Sequence, residues 1–119
     1  MDGKLQDSEL KVMEVLWREG EATAKHVAEV LAAEVGWNRN TTYTLLKRCI
    51  QKGAVERLEP NFRCRPLVDR EAVQAAETGE LVDKLFDGSR DKLFASLLGK
   101  KRLSAQQIER LKEIVREWE

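Results

Sequence analysis

The chain has 119 residues, of which 42% are hydrophobic and 35% are charged, a composition typical of a soluble, folded and helix-rich protein. This length suits one domain, or a small domain that carries a helical appendage. No apolar run approaches the roughly 18 residues that cross a bilayer, and no signal peptide opens the chain, so we expect a cytoplasmic protein without membrane insertion.

The charge is unevenly distributed along the chain. Residues 1–38 contain four Lys/Arg and eight Asp/Glu, whereas residues 39–66 contain seven Lys/Arg and two Asp/Glu, a local net charge of +5. A local basic excess indicates a surface for nucleic acid, although a solvated charged face is the plainer interpretation of any single residue.

The first two predicted elements are amphipathic helices. We predict one from Asp7 to Glu19 and another after Thr23, which end at Gly20 and Gly36. The residues predicted to face inward are Leu10, Met13, Leu16 and Trp17 in the first helix, and Val27, Val30, Leu31 and Val35 in the second.

The third predicted helix lies in residues 38–53, which read NRNTTYTLLKRCIQKG. Asn38 or Asn40 can cap it, and Gly53 terminates it. The apolar side is predicted to contain Thr42, Leu45, Leu46, Cys49 and Ile50. The opposite side and its flank contain Asn40, Thr41, Tyr43, Thr44, Lys47, Arg48 and Gln51. This polar face has no acid, whereas an ordinary solvent face mixes in glutamate for pairing.

Two short strands around a turn are predicted next, over residues 55–58 and 62–66. Phe62 and Cys64 alternate with Arg63 and Arg65, so we expect the arginines to face solvent. Three helices followed by a two-stranded wing predict a winged helix-turn-helix domain over residues 1–68. Its third helix would enter the major groove of double-stranded DNA, and the wing arginines would flank the same duplex.

The candidate DNA-binding residues follow from this placement. Short hydroxyl and amide groups suit base edges, and cations suit phosphates. The candidates are Asn40, Thr41, Tyr43, Thr44, Lys47, Arg48, Arg63 and Arg65. The alternative is a protein-interaction winged helix in which the same residues are merely exposed.

Three more amphipathic helices are predicted in residues 69–119, with a break at residues 87–89 and a capping box at residues 104–107. Such a short stretch has too little core to stand alone, so we predict a helical dimerisation domain that pairs with a second copy. The alternative is that these helices fold back on the winged domain. The predicted dimer-interface residues are Leu81, Leu85, Phe86, Leu93, Phe94, Leu97, Ile108, Leu111, Val115 and Trp118.

Four stretches resemble the penicillinase and methicillin repressor family, over about residues 5 to 116. They read DSELKVMEVLWREGEATAKHVAEVL, TTYTLLKRCIQKGAVER, CRPLVDREA, and KLFDGS together with LSAQQIERLKEI. The resemblance implies a homodimeric winged-helix repressor that binds a palindromic operator and controls β-lactam or other antibiotic-resistance genes. By this likeness the recognition-helix positions are Thr41, Tyr43, Thr44, Lys47 and Arg48, and the wing positions are Arg63 and Arg65.

The resemblance also implies how repression is relieved. Penicillinase-type members are typically cut after a membrane sensor with a zinc-protease domain detects a β-lactam. The bond that is Asn-Phe in the best-known members matches Ser96–Leu97 here, which makes it the candidate cleavage bond of a protease with a different preference. The family also has a branch of copper-responsive repressors with paired CxC motifs near the C-terminus, and these motifs are absent here because no cysteine follows Cys64. A further departure is Tyr43, which stands where some members have an arginine.

Catalytic and cofactor patterns are absent from the sequence. It contains no Ser/His/Asp set, no phosphate-cradling glycine loop and no convergent carboxylate pair, so we expect no enzyme activity and no cofactor. Cys49 and Cys64 do not have the spacing of a metal site, and we expect buried thiols without a bound metal. A repressor relieved by a small-molecule ligand remains the alternative to proteolytic relief.

Overall fold

The computed structural model describes residues 3–99 and 103–118, with the side chain of Trp118 outside the described part. The chain divides into two units, Met1–Gln74 and Ala75–Glu119. The order of elements is mainly helical: six helices and three short strands are formed by the described residues. The predicted fold class, a mainly α chain with a winged helix-turn-helix, is therefore confirmed.

Capping side chains determine where the second and third helices begin. α1 spans Asp7–Glu19, α2 spans Ala24–Val35 and α3 spans Arg39–Gln51. The Thr23 hydroxyl accepts a hydrogen bond from His26 N at 3.1 Å, and Asn38 Oδ1 accepts one from Thr41 N at 2.9 Å. These bonds satisfy backbone N–H groups that have no partner inside the helix.

The three strands form one small antiparallel sheet of order β1-β3-β2. β1 is Ala22–Thr23, β2 is Val55–Leu58 and β3 is Arg63–Pro66. In register, Arg57 faces Cys64 across the wing, and Ala22 faces Cys64 from the other side. The sheet therefore ties the wing to the turn between α1 and α2.

The core of the N-terminal unit is formed by all three helices and the base of the wing. Its buried apolar residues are Leu5, Val12, Met13, Val15, Leu16, Ala24, Val27, Ala28, Leu31, Leu45, Leu46, Cys49, Ala54, Val55, Cys64 and Val73. Trp17 packs at the edge of this core and its indole Nε1 donates to the backbone oxygen of Val68 at 2.8 Å. The winged-helix unit thus has a continuous apolar core of its own.

The fold corrects two sequence predictions and adds one element that was not predicted. β1 was not predicted, because a two-residue strand has no alternation to reveal it. Val35, predicted to face inward, is 39% exposed at the last residue of α2. Phe62 was predicted to begin the second strand, but its φ of 47° and that of Asn61, 72°, place both residues in the left-handed region of the wing turn.

The second half of the chain continues as three helices: α4, Arg70–Leu85; α5, Arg90–Leu98; and α6, Ala105–Trp118. The first turn of α4 belongs to the N-terminal unit, since Val73 joins its core and Arg70 pairs with Glu14 at 2.8 Å. Ser104 and Gln107 form the predicted capping box, with bonds of 2.8 and 3.1 Å. None of the helices in the described part is both long and apolar enough to cross a membrane.

Candidate nucleic-acid interface

The helix α3 has one buried and one exposed side, divided as the sequence pattern predicts. Thr42, Leu45, Leu46 and Cys49 are buried against the core. On the other side Asn40, Thr44, Lys47 and Arg48 are exposed, and Thr41 and Tyr43 are half-buried. No residue of α3 is acidic. The exposed side is therefore a surface of amide, hydroxyl and cationic groups on a rigid helix.

Two of the candidate residues on α3 already have local partners. The Thr41 hydroxyl donates to Asn38 Oδ1 at 3.1 Å, beside the capping bond from its backbone N–H. The Tyr43 hydroxyl accepts a hydrogen bond from Arg39 Nη2 at 3.2 Å. Thr41 is thereby part of the helix cap as well as of the exposed face.

A shallow groove of about 410 Å³ runs along the N-terminal half of this face. Its lining combines residues of α3 and its cap with two residues that the sequence reasoning missed, Ser8 at the start of α1 and Trp37 before the cap of α3. The full lining is Ser8, Trp37, Asn38, Asn40, Thr41, Thr44, Leu45 and Arg48. The position of Trp37 next to the capping asparagine was the available signal for it, whereas nothing local in the sequence marks Ser8.

The cations of α3 and those of the wing differ in their partners. Arg39, Lys47 and Arg48 form no ion pair with a carboxylate of the part of the chain that the structure describes. Because none of the three is held in an ion pair, these side chains contribute positive potential at the exposed side of α3.

The wing arginines, in contrast, are each paired with a glutamate. Arg65 Nη2 pairs with Glu56 Oε2 across the two strands, and Arg63 Nε lies 3.4 Å from Glu21 Oε2. Sequence reasoning predicted Arg63 and Arg65 as solvent-facing cations, and both side chains are about half exposed, but it missed these glutamate partners.

A further arginine, Arg57, lies on β2 near the wing turn and was not among the predicted residues. Its Nε donates to Glu59 Oε1 at 2.6 Å. This bond, together with one from the backbone N–H of Phe62, lowers the pKa of the Glu59 carboxyl below its ordinary value. Glu59 is therefore ionised at neutral pH and partly offsets the charge of Arg57.

Aromatic contacts join the wing turn to α3. The Tyr43 and Phe62 rings meet edge to face, with centroids 5.8 Å apart and an interplanar angle of 84°. Arg57 Cζ lies 3.7 Å from the Phe62 centroid, and Arg39 Cζ lies 5.1 Å from the Tyr43 centroid. Each ring of the packed pair therefore lies against one arginine, an arrangement that is favourable for both cation–π and edge-to-face contacts.

The two cysteines lie behind the exposed face, one on α3 and one on β3. Both are free and fully buried. Burial raises the pKa of Cys49 to about 12 and that of Cys64 to about 11. The thiols are therefore protonated at neutral pH and pack as small apolar groups. Within the described residues, no group of three or more His, Cys, Asp or Glu side chains has the arrangement of a metal site.

The comparison with protein families identifies the chain. A family model described as penicillinase repressor matches residues 5–117. The chain belongs to the penicillinase repressor family. Among curated relatives of this family, the methicillin resistance regulatory protein MecI of Staphylococcus aureus (strain N315) is 27% identical over 120 residues, covering 97% of this chain and 98% of that protein.

Two solved structures of the same family match the N-terminal part of the chain. The solution structure of the DNA binding domain of the repressor BlaI is 31% identical with a TM-score of 0.53, covering 59% of this chain and 90% of that one. The monomeric form of Bacillus licheniformis BlaI in complex with the blaP half-operator is 29% identical with a TM-score of 0.53, covering 60% of this chain and 89% of that one. The predicted membership of the penicillinase repressor family is confirmed.

Proposed function

We propose that this member of the penicillinase repressor family is a DNA-binding transcriptional repressor and not an enzyme. The observation that carries the proposal is the exposed side of α3, which has no acid and carries three cations that form no ion pair with any carboxylate of the described residues. Such a surface can approach the phosphates of a duplex without repulsion. The related BlaI structure, a complex with a half-operator, supports the same role for this chain.

The proposed contacts divide into two kinds. Asn40 and Thr44 are exposed polar groups that can bind base edges, Lys47 can bind a phosphate, and Arg48 can bind a phosphate or guanine. Arg63 and Arg65 would reach the DNA backbone from the wing after exchanging their glutamate partners for phosphates. Thr41 would contribute mainly through the cap that orients the start of α3.

Binding to DNA over a range of salt concentrations tests this proposal. A duplex selected by the wild-type chain from a random-sequence library serves as the probe. Lys47→Ala should lower the slope of log K against log salt by about 0.9, because one phosphate contact is lost. Lys84→Ala is the matched control, since it removes the same charge from an exposed position of α4. Equal slopes for wild type and Lys47→Ala would contradict a role for α3 at the phosphates.

We further propose that residues 69–119 form the dimerisation domain and that the occupant of their apolar surface is a second copy of the chain. In the unit Ala75–Glu119, Val82 is the one buried hydrophobic residue of the described part. The large exposed apolar residues of this unit are Leu81, Leu85, Phe94, Leu97, Leu98, Ile114 and Val115. Burying one such side chain contributes about 1.5–3 kcal/mol, so leaving all of them in water is unfavourable.

The remaining predicted interface residues fit the same surface. Phe86, Leu93, Ile108 and Leu111 are half-buried, which leaves part of each side chain available to a partner. A groove of about 610 Å³ between α5 and α6 is lined by Phe94, Leu98, Ile108, Leu111, Lys112, Ile114, Val115 and Arg116. The side chain of Trp118, also predicted at the interface, lies outside the described residues. A small apolar ligand in this groove is the alternative occupant.

Relief of repression by proteolysis is the least direct part of the proposal. Family membership supports it, with a membrane sensor metalloprotease as the partner. The candidate bond Ser96–Leu97 lies within α5, and Leu97 is 38% exposed. Since a protease binds an extended chain, the last turn of α5 must open before the bond is cut. A cut there would separate α6 from α4 and α5 and weaken the dimer, and with it the binding to two half-sites.

A protease site inserted at residues 96–97 tests this mechanism. Operator occupancy measured before and after cutting should fall together with dimer content. A cut protein that stays dimeric and bound would leave the ligand-relieved repressor as the better account.

A further inference from the structure

Tyr43 is among the residues predicted to bind DNA, but its surroundings indicate a positioning role. The ring is half-buried and packs edge to face on Phe62 of the wing turn, with centroids 5.8 Å apart. Its hydroxyl accepts a hydrogen bond from Arg39 at 3.2 Å. Turning the ring toward a base edge would break both contacts. The hydroxyl therefore accepts from Arg39 while its O–H stays available as a donor, and this bond together with the packing on Phe62 holds the ring in place.

Arg39, in contrast, is placed to bind an anion. It is the first residue of α3 and is exposed. Its guanidinium lies over the Tyr43 ring, 5.1 Å from the centroid, and forms no ion pair in the described part of the chain. Glu29 lines the same hollow of about 170 Å³ as Arg39 without pairing with it. The hydrogen bond and the cation–π contact thus restrict the side chain of Arg39 without neutralising its charge.

We propose that Arg39 is a further DNA-phosphate contact of this chain and that Tyr43 is a positioning residue that holds it. This inference rests on the proposed DNA-binding function. A guanidinium that is already held loses less conformational freedom when it binds a phosphate than a free side chain does. The same ring also joins α3 to the wing turn through Phe62, so one tyrosine sets the position of a cation at the helix and the distance to the wing.

Two substitutions and their combination test the roles of both residues. Arg39→Gln should lower affinity about tenfold for every duplex and reduce the salt slope by about 0.9, the values for one charge-assisted phosphate contact. Tyr43→Phe removes the hydroxyl and keeps the ring on Phe62. It should lower affinity about two- to fivefold, equally for the selected duplex and all its single-base variants. In the Arg39→Gln background Tyr43→Phe should have no further effect, since it acts through Arg39.

The outcomes separate this inference from the function on which it rests. A Tyr43→Phe protein that loses discrimination at one base pair would show that Tyr43 reads a base, which overturns the positioning role. If Arg39→Gln keeps the wild-type slope while Lys47→Ala lowers it, Arg39 does not contact DNA although α3 does. If neither substitution changes the slope, the DNA-binding proposal fails and this inference fails with it. Equal thermal unfolding of the variants and wild type confirms that folding is unaffected.

Discussion

Replacing Lys52 by methionine should destabilise the N-terminal unit through the carboxylate it leaves behind. Glu9 is 1% exposed, and its Oε1 accepts hydrogen bonds from Lys52 Nζ at 2.6 Å and from the backbone N–H of Gln6 at 2.7 Å. Lys52 also donates to the backbone oxygen of Lys4 at 2.6 Å. This single ammonium therefore joins the end of α3 to the start of α1, which positions the proposed recognition helix.

The expected loss follows from the burial of the two partners. Removing one member of a fully buried pair costs about 3–5 kcal/mol, because the other charge stays buried without its counter-ion. The side chain of Lys52 is 24% exposed, so water can reach the site, and we expect about 2 kcal/mol. For a domain of this size that corresponds to a fall in Tm of about 8–16 °C.

The pH dependence of the free energy of unfolding is a second test of the contact between Lys52 and Glu9. Burial raises the pKa of the Glu9 carboxyl, but the bonds from Gln6 and Lys52 and the charges of Lys52 and Arg48 outweigh it and leave the pKa below its ordinary value of 4.5. A lowered folded-state pKa stabilises the protein above pH 4.5 and loses that contribution as the pH falls through the folded value. The difference between wild type and Lys52→Met should therefore be largest at neutral pH and shrink below pH 4.5.

Urea unfolding, followed by circular dichroism from about pH 3 to about pH 7, measures both the loss of stability and its pH dependence. Arg18→Met is the matched control, because Arg18 and Glu34 form a pair of similar length, 2.8 Å, with half-exposed side chains. That control should change the free energy of unfolding by less than about 1 kcal/mol. Equal losses for Arg18→Met and Lys52→Met, or a loss for Lys52→Met that does not depend on pH, would refute this reasoning.

Three further predictions concern the dimer, the wing and the cap. Leu85 is 65% exposed, and Leu85→Asp should convert the dimer to a monomer in sedimentation at a protein concentration of roughly tens of micromolar. An unchanged dimer would exclude α4 from the interface. Glu56→Gln should free Arg65 and raise DNA affinity about two- to fivefold at low salt, an effect that added salt removes; unchanged binding would mean that Arg65 stays away from the duplex. Asn38→Ala should lower the free energy of unfolding by about 1 kcal/mol in a urea titration, since Thr41 N loses its acceptor; no loss would show that water replaces the cap.

Local patterns in the sequence predicted most of the N-terminal fold. The bounds of α1 and the caps at Thr23 and Asn38 follow from short-range chemistry, and the buried side of α3 follows from its periodicity. β1 could not be predicted because its two residues form a strand only by pairing with β3, which lies far along the chain.

The candidate site was predictable in composition but not in its contacts. The acid-free face could be read from the order of residues alone. The pair of Glu9 and Lys52 joins positions 43 apart, and the packing of Tyr43 on Phe62 depends on how the wing folds over α3. Contacts of this kind are set by tertiary structure, so a residue chosen for its exposed polar group can turn out to be held by a neighbour.

The most direct test of the account is selection of DNA from a random-sequence library by the full-length chain, with Lys47→Ala selected in parallel. The account predicts that the wild-type chain enriches an inverted repeat with two similar half-sites, since a symmetric dimer presents two recognition helices to one duplex. The Lys47→Ala protein should enrich the same repeat more weakly, because a phosphate contact carries no sequence information. Recovery of no repeated motif by the wild-type chain, or of a single half-site bound as tightly as any pair, would contradict a homodimeric operator-binding repressor.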